Sequence, residues 1–179
     1  MRLVAGLARL RQAKQYRALR RALHHVNQRT GFRVCQFSIQ GNHYHLVIEA
    51  TGRDTLGRGM RALNIRVAKA LNRLHGERRR GTVFTDRYHA EVLTTPLQTR
   101  NTLLYVLNNA LHHGESWREP TITDPFSSGA YFDGWEIPVE GARPPPDDRV
   151  VTDAESWLLT VGWRRRGLLH PLHAPSPVR

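Results

Sequence analysis

Two strand-like runs separated by three residues constrain the fold of this chain more than any other feature. FRVCQFSI (32–39) and HYHLVIEA (43–50) are rich in the β-branched and aromatic residues that favour strands. The intervening QGN (40–42) suits a tight turn. The sequence therefore predicts an antiparallel hairpin.

Amphipathic helices are predicted on both sides of the hairpin. Apolar residues recur at helical spacing over 12–30 and again over 55–74. A third strand-like run, TVFTDRYHAEVL (82–93), follows the second helix. With a short first strand at 2–5 (RLVA), the order becomes β-α-β-β-α-β. This order predicts an α+β fold of the ferredoxin-like split βαβ type, an antiparallel sheet with helices on one face.

A further helix is predicted after the sheet. Thr95 can cap it, Pro96 suits its first position, and Gln98 completes a capping box with Thr95. The helix is expected to run to about His113 and to end at Gly114.

Composition divides the chain into three parts. Residues 1–114 are predicted to form the main domain. Residues 115–152 are rich in Pro and Gly and predict a linker. Residues 153–179 predict a small helical C-terminal extension with a loose tail.

The hairpin carries half of a possible metal site. Side chains alternate between the faces of a strand, so His43 and His45 share one face. Tyr44 points to the other face, towards the core. Two polar residues on a solvated strand would look the same, so the pair alone does not decide.

The helix 96–113 carries a polar face with a tyrosine in its middle. Tyr105 lies there with Asn108, Asn109 and His112, while leucines and valines gather on the opposite side. Because Asn109 is four residues after Tyr105, the two side chains are neighbours one turn apart. Tyr105 is thus a candidate nucleophile with a carboxamide beside it.

The charge of the chain favours a polyanionic partner. Lys and Arg total 27 against 15 Asp and Glu, giving a net charge of +12. All but two of the basic residues, Lys14 and Lys69, are arginine, whose guanidinium group matches phosphate and stacks on bases. The arginines assigned to DNA contacts are Arg58, Arg61, Arg66, Arg78, Arg79, Arg80 and Arg87.

Other classes of protein are disfavoured by composition. Cys35 is the only cysteine, which excludes an internal disulfide and a multi-cysteine zinc site. No apolar run approaches the roughly 20 residues of a membrane span, and the amino end does not resemble a secretory signal. A cytoplasmic protein that does not enter membranes is expected.

Three segments together resemble a known family. GNHYHLVIEA, VFTDRYHA and YVLNNALHHG, in this order and spacing, resemble the REP-associated tyrosine transposases, members of the HUH single-tyrosine transposase superfamily. The resemblance implies that Tyr105 is the nucleophile and that His43, His45 and Asn109 hold a divalent cation, Mg²⁺ or Mn²⁺. Asn108 is a less favoured third ligand. Tyr44 departs from the aliphatic residue usual between the two histidines.

The resemblance also implies a function. The chain would be a metal-dependent single-stranded DNA endonuclease and strand transferase, acting at hairpin-forming repeats through a 5′-phosphotyrosine intermediate. It would be bacterial and nucleoid-associated, and either a monomer or a homodimer. The alternative is a domesticated, non-catalytic protein that binds DNA hairpins.

Four further residues are candidates for supporting roles around the site. The possible outer-shell partners are Glu49, His89, Asn108 and His112.

Overall fold

A computed structural model describes residues 1–7, 9–76, 79–113, 123–140 and 149–174. The predicted hairpin is present: β1 (Phe32–Ile39) pairs antiparallel with β2 (Tyr44–Ala50), from Phe32 opposite Ala50 to Ile39 opposite Tyr44. The register shifts by one residue between Val34 and Gln36, which leaves Cys35 as a β-bulge. Cys35 is buried.

The rest of the sheet is reduced to two single bridges. Arg2 pairs with His43, and Leu3 pairs with Phe84, both antiparallel. The order across the sheet is therefore 84, 3, β2, β1, which is the order of a split βαβ fold. The α+β fold with an antiparallel sheet is confirmed.

The predicted strand 82–93 is wrong over most of its length. Only Phe84 forms a bridge, and residues 85–94 contain no helix or strand. Val4 donates its N–H to the Val83 carbonyl and Thr85 donates to the Arg2 carbonyl, at 3.0 and 3.1 Å. Among the described residues, the pairing of this segment is confined to residues 2–4.

Two long helices cover one face of the hairpin. They are α1 (Ala13–Val26) and α2 (Arg53–His75), and they pack on each other and on the strands. α1 ends earlier than predicted because the side chain of the next residue, Asn27, binds β1. Asn27 Oδ1 accepts a hydrogen bond from the Val34 N–H at 2.6 Å. Leu19, Leu23, Leu63 and Val67 form the centre of this core.

The opposite face is covered by α3 (Pro96–Leu107), which packs against β1 and β2. Thr95 accepts the Gln98 N–H at 3.2 Å, as the capping box predicts. Gln98 binds the N–H of Thr94 rather than that of Thr95. The helix breaks at Asn108 and resumes as α4 (Asn109–His112); the predicted stop at Gly114 lies outside the described residues.

Part of the predicted linker is packed on the sheet. Residues 123–140 include a bridge between Ser127 and Ser38 of β1, and Phe132 and Trp135 are buried. They join Leu103 of α3 and Trp163 in a second apolar cluster. These residues are thus no free spacer, and the division of the chain into domains stays a prediction.

The C-terminal extension is helical but irregular. A π-helical turn, Leu158–Gly162, continues directly into a 3-10 turn, Trp163–Arg166; together they are called the C-terminal element below. Trp163 anchors it in the second cluster. Among the described helices, none has the length and apolar character that a membrane crossing requires.

Candidate active site

The two histidines stand side by side at the start of β2. Their ring centroids are 5.0 Å apart and the rings are perpendicular. They lie on the face that α3 covers, as strand alternation predicts, because Tyr44 between them belongs to the core on the α1–α2 face.

Tyr44 is excluded as a rival nucleophile by its surroundings. Its side chain is buried, and its hydroxyl donates a hydrogen bond to Asn64 Oδ1 at 2.8 Å. Burial raises the pKa of this phenol far above its ordinary value. The departure from the family pattern therefore fills the core rather than the site.

Tyr105 is carried to the histidines by the packing of α3 on the hairpin. Its ring centroid lies 5.2 Å from that of His45, with the rings nearly perpendicular. The side chain is half-buried, and it lines an open groove with His45. Both residues belong to the same chain.

Asn109 is buried without a partner for either side-chain polar atom. It is fully enclosed, and neither Oδ1 nor Nδ2 has a hydrogen bond among the described residues. Buried polar groups are nearly always satisfied, so an orphaned carboxamide one turn after Tyr105 is a candidate for binding a ligand.

Asn108 has a different role from the one considered for it. Its Nδ2 donates to the carbonyl oxygens of His170 and His173, both at 3.0 Å. The side chain therefore ties the helix break to the residues that follow the C-terminal element. These hydrogen bonds use Nδ2 and fix the orientation of the carboxamide, so the ligand role considered for Asn108 stays a prediction.

The two histidines differ in the hydrogen bonding of their ring nitrogen atoms. His43 Nδ1 lies 2.9 Å from Asn42 Oδ1, so a proton on Nδ1 leaves Nε2 with a free lone pair. His45 Nε2 is buried and has no hydrogen-bond partner among the described residues. Asn42 is a supporting residue that sequence reasoning missed.

Both imidazoles are held neutral. Burial, and after it the positive charges of neighbouring groups including His113 and Arg2, lowers the pKa of His43 to about 4. Burial together with the nearby His43 lowers the pKa of His45 to about 3. A neutral imidazole is the form that binds a metal ion.

Two more histidines reach the site, one at the end of α4 and one directly after it. The His113 ring is 5.2 Å from His43, and the His112 ring is 6.3 Å from Tyr105. His112 was an outer-shell candidate, and the structure brings it near Tyr105. His113 was missed, although its position four residues after Asn109 is a signal that could have found it.

The other two outer-shell candidates lie elsewhere. Glu49 accepts the backbone N–H groups of Glu155 and Ser156, both at 2.8 Å, and so anchors the C-terminal element. His89 is exposed in the irregular segment after Phe84, on the wall of the groove. Neither contacts the histidine pair.

Most arginines assigned to DNA lie on the surface. Arg58, Arg61 and Arg66 are exposed on α2, and Arg66 contacts His25. Arg79 is half-buried and holds Asn72 and the Thr82 carbonyl. Arg80 and Arg87 are exposed, and Arg78 lies outside the described residues.

The residues present fit a divalent cation. Within the described parts of the chain, no three His, Cys, Asp or Glu side chains converge on a metal position. A cation held by the histidine pair therefore needs an oxygen from another residue type. Asn109 Oδ1 and His45 Nε2 are both buried without a hydrogen-bond partner among the described residues, so the chemistry of these two groups fits such a cation.

Comparison with known sequences adds a family match. The sequence profile of the family described as "Transposase IS200 like" matches residues 8–109, which is more than half of the chain. The matched range includes the histidine pair, Tyr105 and Asn109. Neither the curated proteins nor the solved structures gave a significant match.

Proposed function

This chain belongs to the IS200-like transposase family, and we propose that it cuts and rejoins single-stranded DNA through Tyr105. The proposed substrate is a hairpin-forming repeat with a single-stranded flank, as in the REP-associated branch of the family. The partner is therefore bacterial DNA, which implies a place with the nucleoid.

One observation carries the proposal: the Tyr105 ring lies 5.2 Å from the His45 ring within one chain. A tyrosine that served packing alone would not be half-exposed in a groove beside a neutral histidine pair. This proximity supports the proposal that Tyr105 attacks a phosphate bound beside the histidine pair.

The reaction is a phosphodiester exchange. Tyr105 Oη attacks the phosphorus and forms a P–O bond, while the bond from phosphorus to the 3′ oxygen breaks. The phenol loses one proton and the leaving 3′ oxygen gains one, so the step balances without an oxidant or an external energy source. A second 3′-OH can reverse the step, which transfers the strand.

Three side chains are proposed to hold the cation. His43 and His45 would each provide a nitrogen and Asn109 its Oδ1, all three uncharged. When bound, Mg²⁺ or Mn²⁺ would neutralise the scissile phosphate and polarise its phosphorus. Mixed nitrogen and oxygen ligands suit Mn²⁺ somewhat better than Mg²⁺.

The surface arginines are proposed to hold the DNA backbone. Contacts between guanidinium and phosphate release counterions, so affinity should fall steeply as the salt concentration rises. Arg58, Arg61, Arg66, Arg78, Arg79, Arg80 and Arg87 are assigned to these contacts. The number of subunits in the DNA complex, one or two, is left open.

The test is a covalent-adduct assay with Mn²⁺ and hairpin DNA labelled at its 3′ end, because the fragment downstream of the cut keeps the link to the protein. Wild type is expected to form a slow-migrating protein–DNA band, and Tyr105→Phe to form none while still binding DNA. His43→Ala should also lose the band and keep most binding.

Tyr16→Phe is the matched control, since Tyr16 lies on α1 across the sheet, where its hydroxyl binds the Pro125 carbonyl. It should form the adduct as wild type does. An adduct from Tyr105→Phe would refute the nucleophile. Tight binding by wild type without any adduct would favour the non-catalytic hairpin-binding protein instead.

A further inference from the structure

Trp157 lies directly before the C-terminal element and has a large exposed surface. It is 49% exposed, whereas the other tryptophans that the structure describes, Trp135 and Trp163, are 8% and 1% exposed. Each of these two donates its indole N–H to a backbone carbonyl, that of Gly129 or that of Leu159. Both belong to the second apolar cluster, and Trp157 does not.

The Trp157 ring is nevertheless held in one place. Gly162, five residues later, ends the π-helical turn, and the ring lies on its backbone. A Cβ at Gly162 would be 2.7 Å from Cζ3 and 2.9 Å from Cε3 of the indole, closer than such atoms approach. Only a residue without a side chain allows this contact. The exposed ring is therefore oriented in advance, unlike a loose surface side chain.

A guanidinium group lies beside the same ring. Arg165 Cζ is 5.3 Å from the ring centroid of Trp157, within the range of a cation–π interaction. Arg165 and Arg166 are exposed without an acidic partner among the described residues, whereas Arg164 pairs with Asp133. A guanidinium that stacks on a ring keeps its N–H groups available for a phosphate. Trp157, Arg165 and Arg166 are together called the indole surface below.

The indole surface is fixed to the helix that carries Tyr105. Arg100 of α3 donates from Nε to the Gly167 carbonyl and from Nη2 to the Leu168 carbonyl, both at 2.9 Å. These two residues directly follow the C-terminal element. Arg100 and Tyr105 are five residues apart, about 7.5 Å along the helix axis. The indole surface thus has a defined position relative to Tyr105.

We propose that the indole surface binds an unpaired nucleotide of single-stranded DNA, with the base stacked on Trp157 and neighbouring phosphates on Arg165 and Arg166. Aromatic stacking beside a cationic group is how proteins hold single strands without reading their sequence. The identity of the ligand rests on the proposed function. The site itself is separate, because none of its three residues lines the groove that holds His45 and Tyr105.

The chemistry of the indole surface favours a nucleotide over a protein partner. An apolar partner would leave two guanidinium groups beside the ring without a counter-charge. An acidic peptide would neutralise them but offers no planar group to the indole. A nucleotide supplies both a planar base and a phosphate.

The test compares a ten-residue oligothymidylate with an abasic oligonucleotide of the same length, which has the phosphates but no bases. The wild-type full chain is expected to bind the first about tenfold more tightly, measured by fluorescence anisotropy at low salt. Trp157→Leu, which keeps an apolar contact with Gly162, should lose most of this preference. Trp157→Phe, which keeps an aromatic ring, should retain most of it.

The phosphate contact is tested with Arg165→Gln. This variant should weaken the binding of both oligonucleotides and reduce the slope of log affinity against log salt concentration by about 0.7. Arg17→Gln is the matched control, since Arg17 is exposed on α1, on the opposite face of the hairpin. It should leave the slope unchanged, and equal changes in both variants would refute the phosphate contact.

An equal preference for bases in wild type and Trp157→Leu would overturn the proposal. So would equal losses in Trp157→Leu and Trp157→Phe, which would mean that the side chain only packs. Self-association that Trp157→Leu abolishes, measured by sedimentation, would assign the surface to a second copy of the chain instead.

The covalent adduct at Tyr105 is a separate readout. An adduct without a preference for bases would support the proposed function and refute this site. A preference for bases without an adduct would support this site and refute cleavage.

Discussion

Two adjacent asparagines, Asn108 and Asn109, differ in whether their side chains are hydrogen-bonded. Asn108 gives both protons of its amide to backbone carbonyls, whereas Asn109 is buried with no partner among the described residues. An unsatisfied buried amide lowers stability, and such a cost is tolerated where a ligand uses the group. The contrast supports Asn109 over Asn108 as the third metal ligand.

Substitution of each asparagine by leucine separates these roles. Asn109→Leu should raise the free energy of unfolding without metal by about 1–2 kcal/mol, because an orphaned polar group is removed. It should also abolish the covalent adduct. Urea unfolding in the presence of a chelator measures the first effect, and the adduct assay measures the second.

Asn108→Leu is the matched comparison and should lower the free energy of unfolding by about 2 kcal/mol, since two hydrogen bonds are lost. If Asn109→Leu destabilised the protein as much as Asn108→Leu, the Asn109 amide would have a structural partner. The ligand assignment would then fail.

The faces on which the histidine pair and Tyr105 lie could be predicted from the sequence, because each follows from the periodicity of a regular element. Strand alternation puts His43 and His45 on one face, and helical spacing puts Tyr105 on a polar face. His113 could not be found with the same assurance, since the helix breaks at Asn108 and its end no longer follows a single period. Asn42 was missed because its role depends on the shape of a turn.

Secondary structure was predictable where an element is stabilised by residues within or next to it in the sequence. The hairpin and the helices follow from local turn, cap and periodicity signals, and all are present. The strand over 82–93 is different, because a strand needs a neighbour and this one has only residues 2–4 to pair with. The packing of residues 123–140 could not be predicted either, since the polar and glycine-rich composition of this segment is typical of a linker. Phe132 and Trp135 alone did not indicate that it is packed on the sheet.

The C-terminal element depends on one carboxylate of β2. Glu49 receives two backbone N–H groups at the start of that element, as a cap does for a helix. Glu49→Gln should keep the shape but weaken both bonds, so the amides of Glu155 and Ser156 should exchange faster by about tenfold. Glu91→Gln, a change at an exposed carboxylate elsewhere, should leave those amides unaffected.

The same carboxylate predicts a pH dependence. Burial alone would raise the pKa of Glu49, but hydrogen bonds from Ser156 and Glu155 outweigh it and lower the pKa below its ordinary 4.5. Its stabilising contribution is therefore complete above pH 4.5 and is lost as the pH falls through the lower folded value. Protection of Ser156 that did not change on acidification would contradict the anchoring role.

At the scale of the whole molecule, the hairpin separates two apolar clusters, and residues 123–140 connect its edge to α1. The connection includes an ion pair just before α1, in which the two terminal nitrogens of Arg11, Nη1 and Nη2, donate to the Asp124 carboxylate at 2.9 and 3.0 Å. The Asp124 side chain is completely buried. Arg11 also donates to the Ile39 carbonyl at the end of β1.

Arg11→Ala should therefore lower the free energy of unfolding by about 3 kcal/mol, because it removes two charge-assisted hydrogen bonds from a buried carboxylate. Urea unfolding followed by tryptophan fluorescence would measure the loss, since Trp135 lies in the segment that the pair secures. Arg9→Ala, at an exposed position two residues away, should change stability by less than about 0.5 kcal/mol. If both variants lost a similar amount of unfolding free energy, the Arg11–Asp124 ion pair would contribute no more than an exposed arginine.

The packing of α3 brings Tyr105 close to the histidine pair of the same chain. Two inactive variants, one at a histidine and one at Tyr105, should therefore not restore activity when they are mixed. A mixture of His45→Ala and Tyr105→Phe molecules contains every catalytic group but no molecule with a complete set. Such a mixture is expected to remain as inactive as either variant alone. Recovery of adduct on mixing would mean instead that neighbouring molecules trade their tyrosine helices.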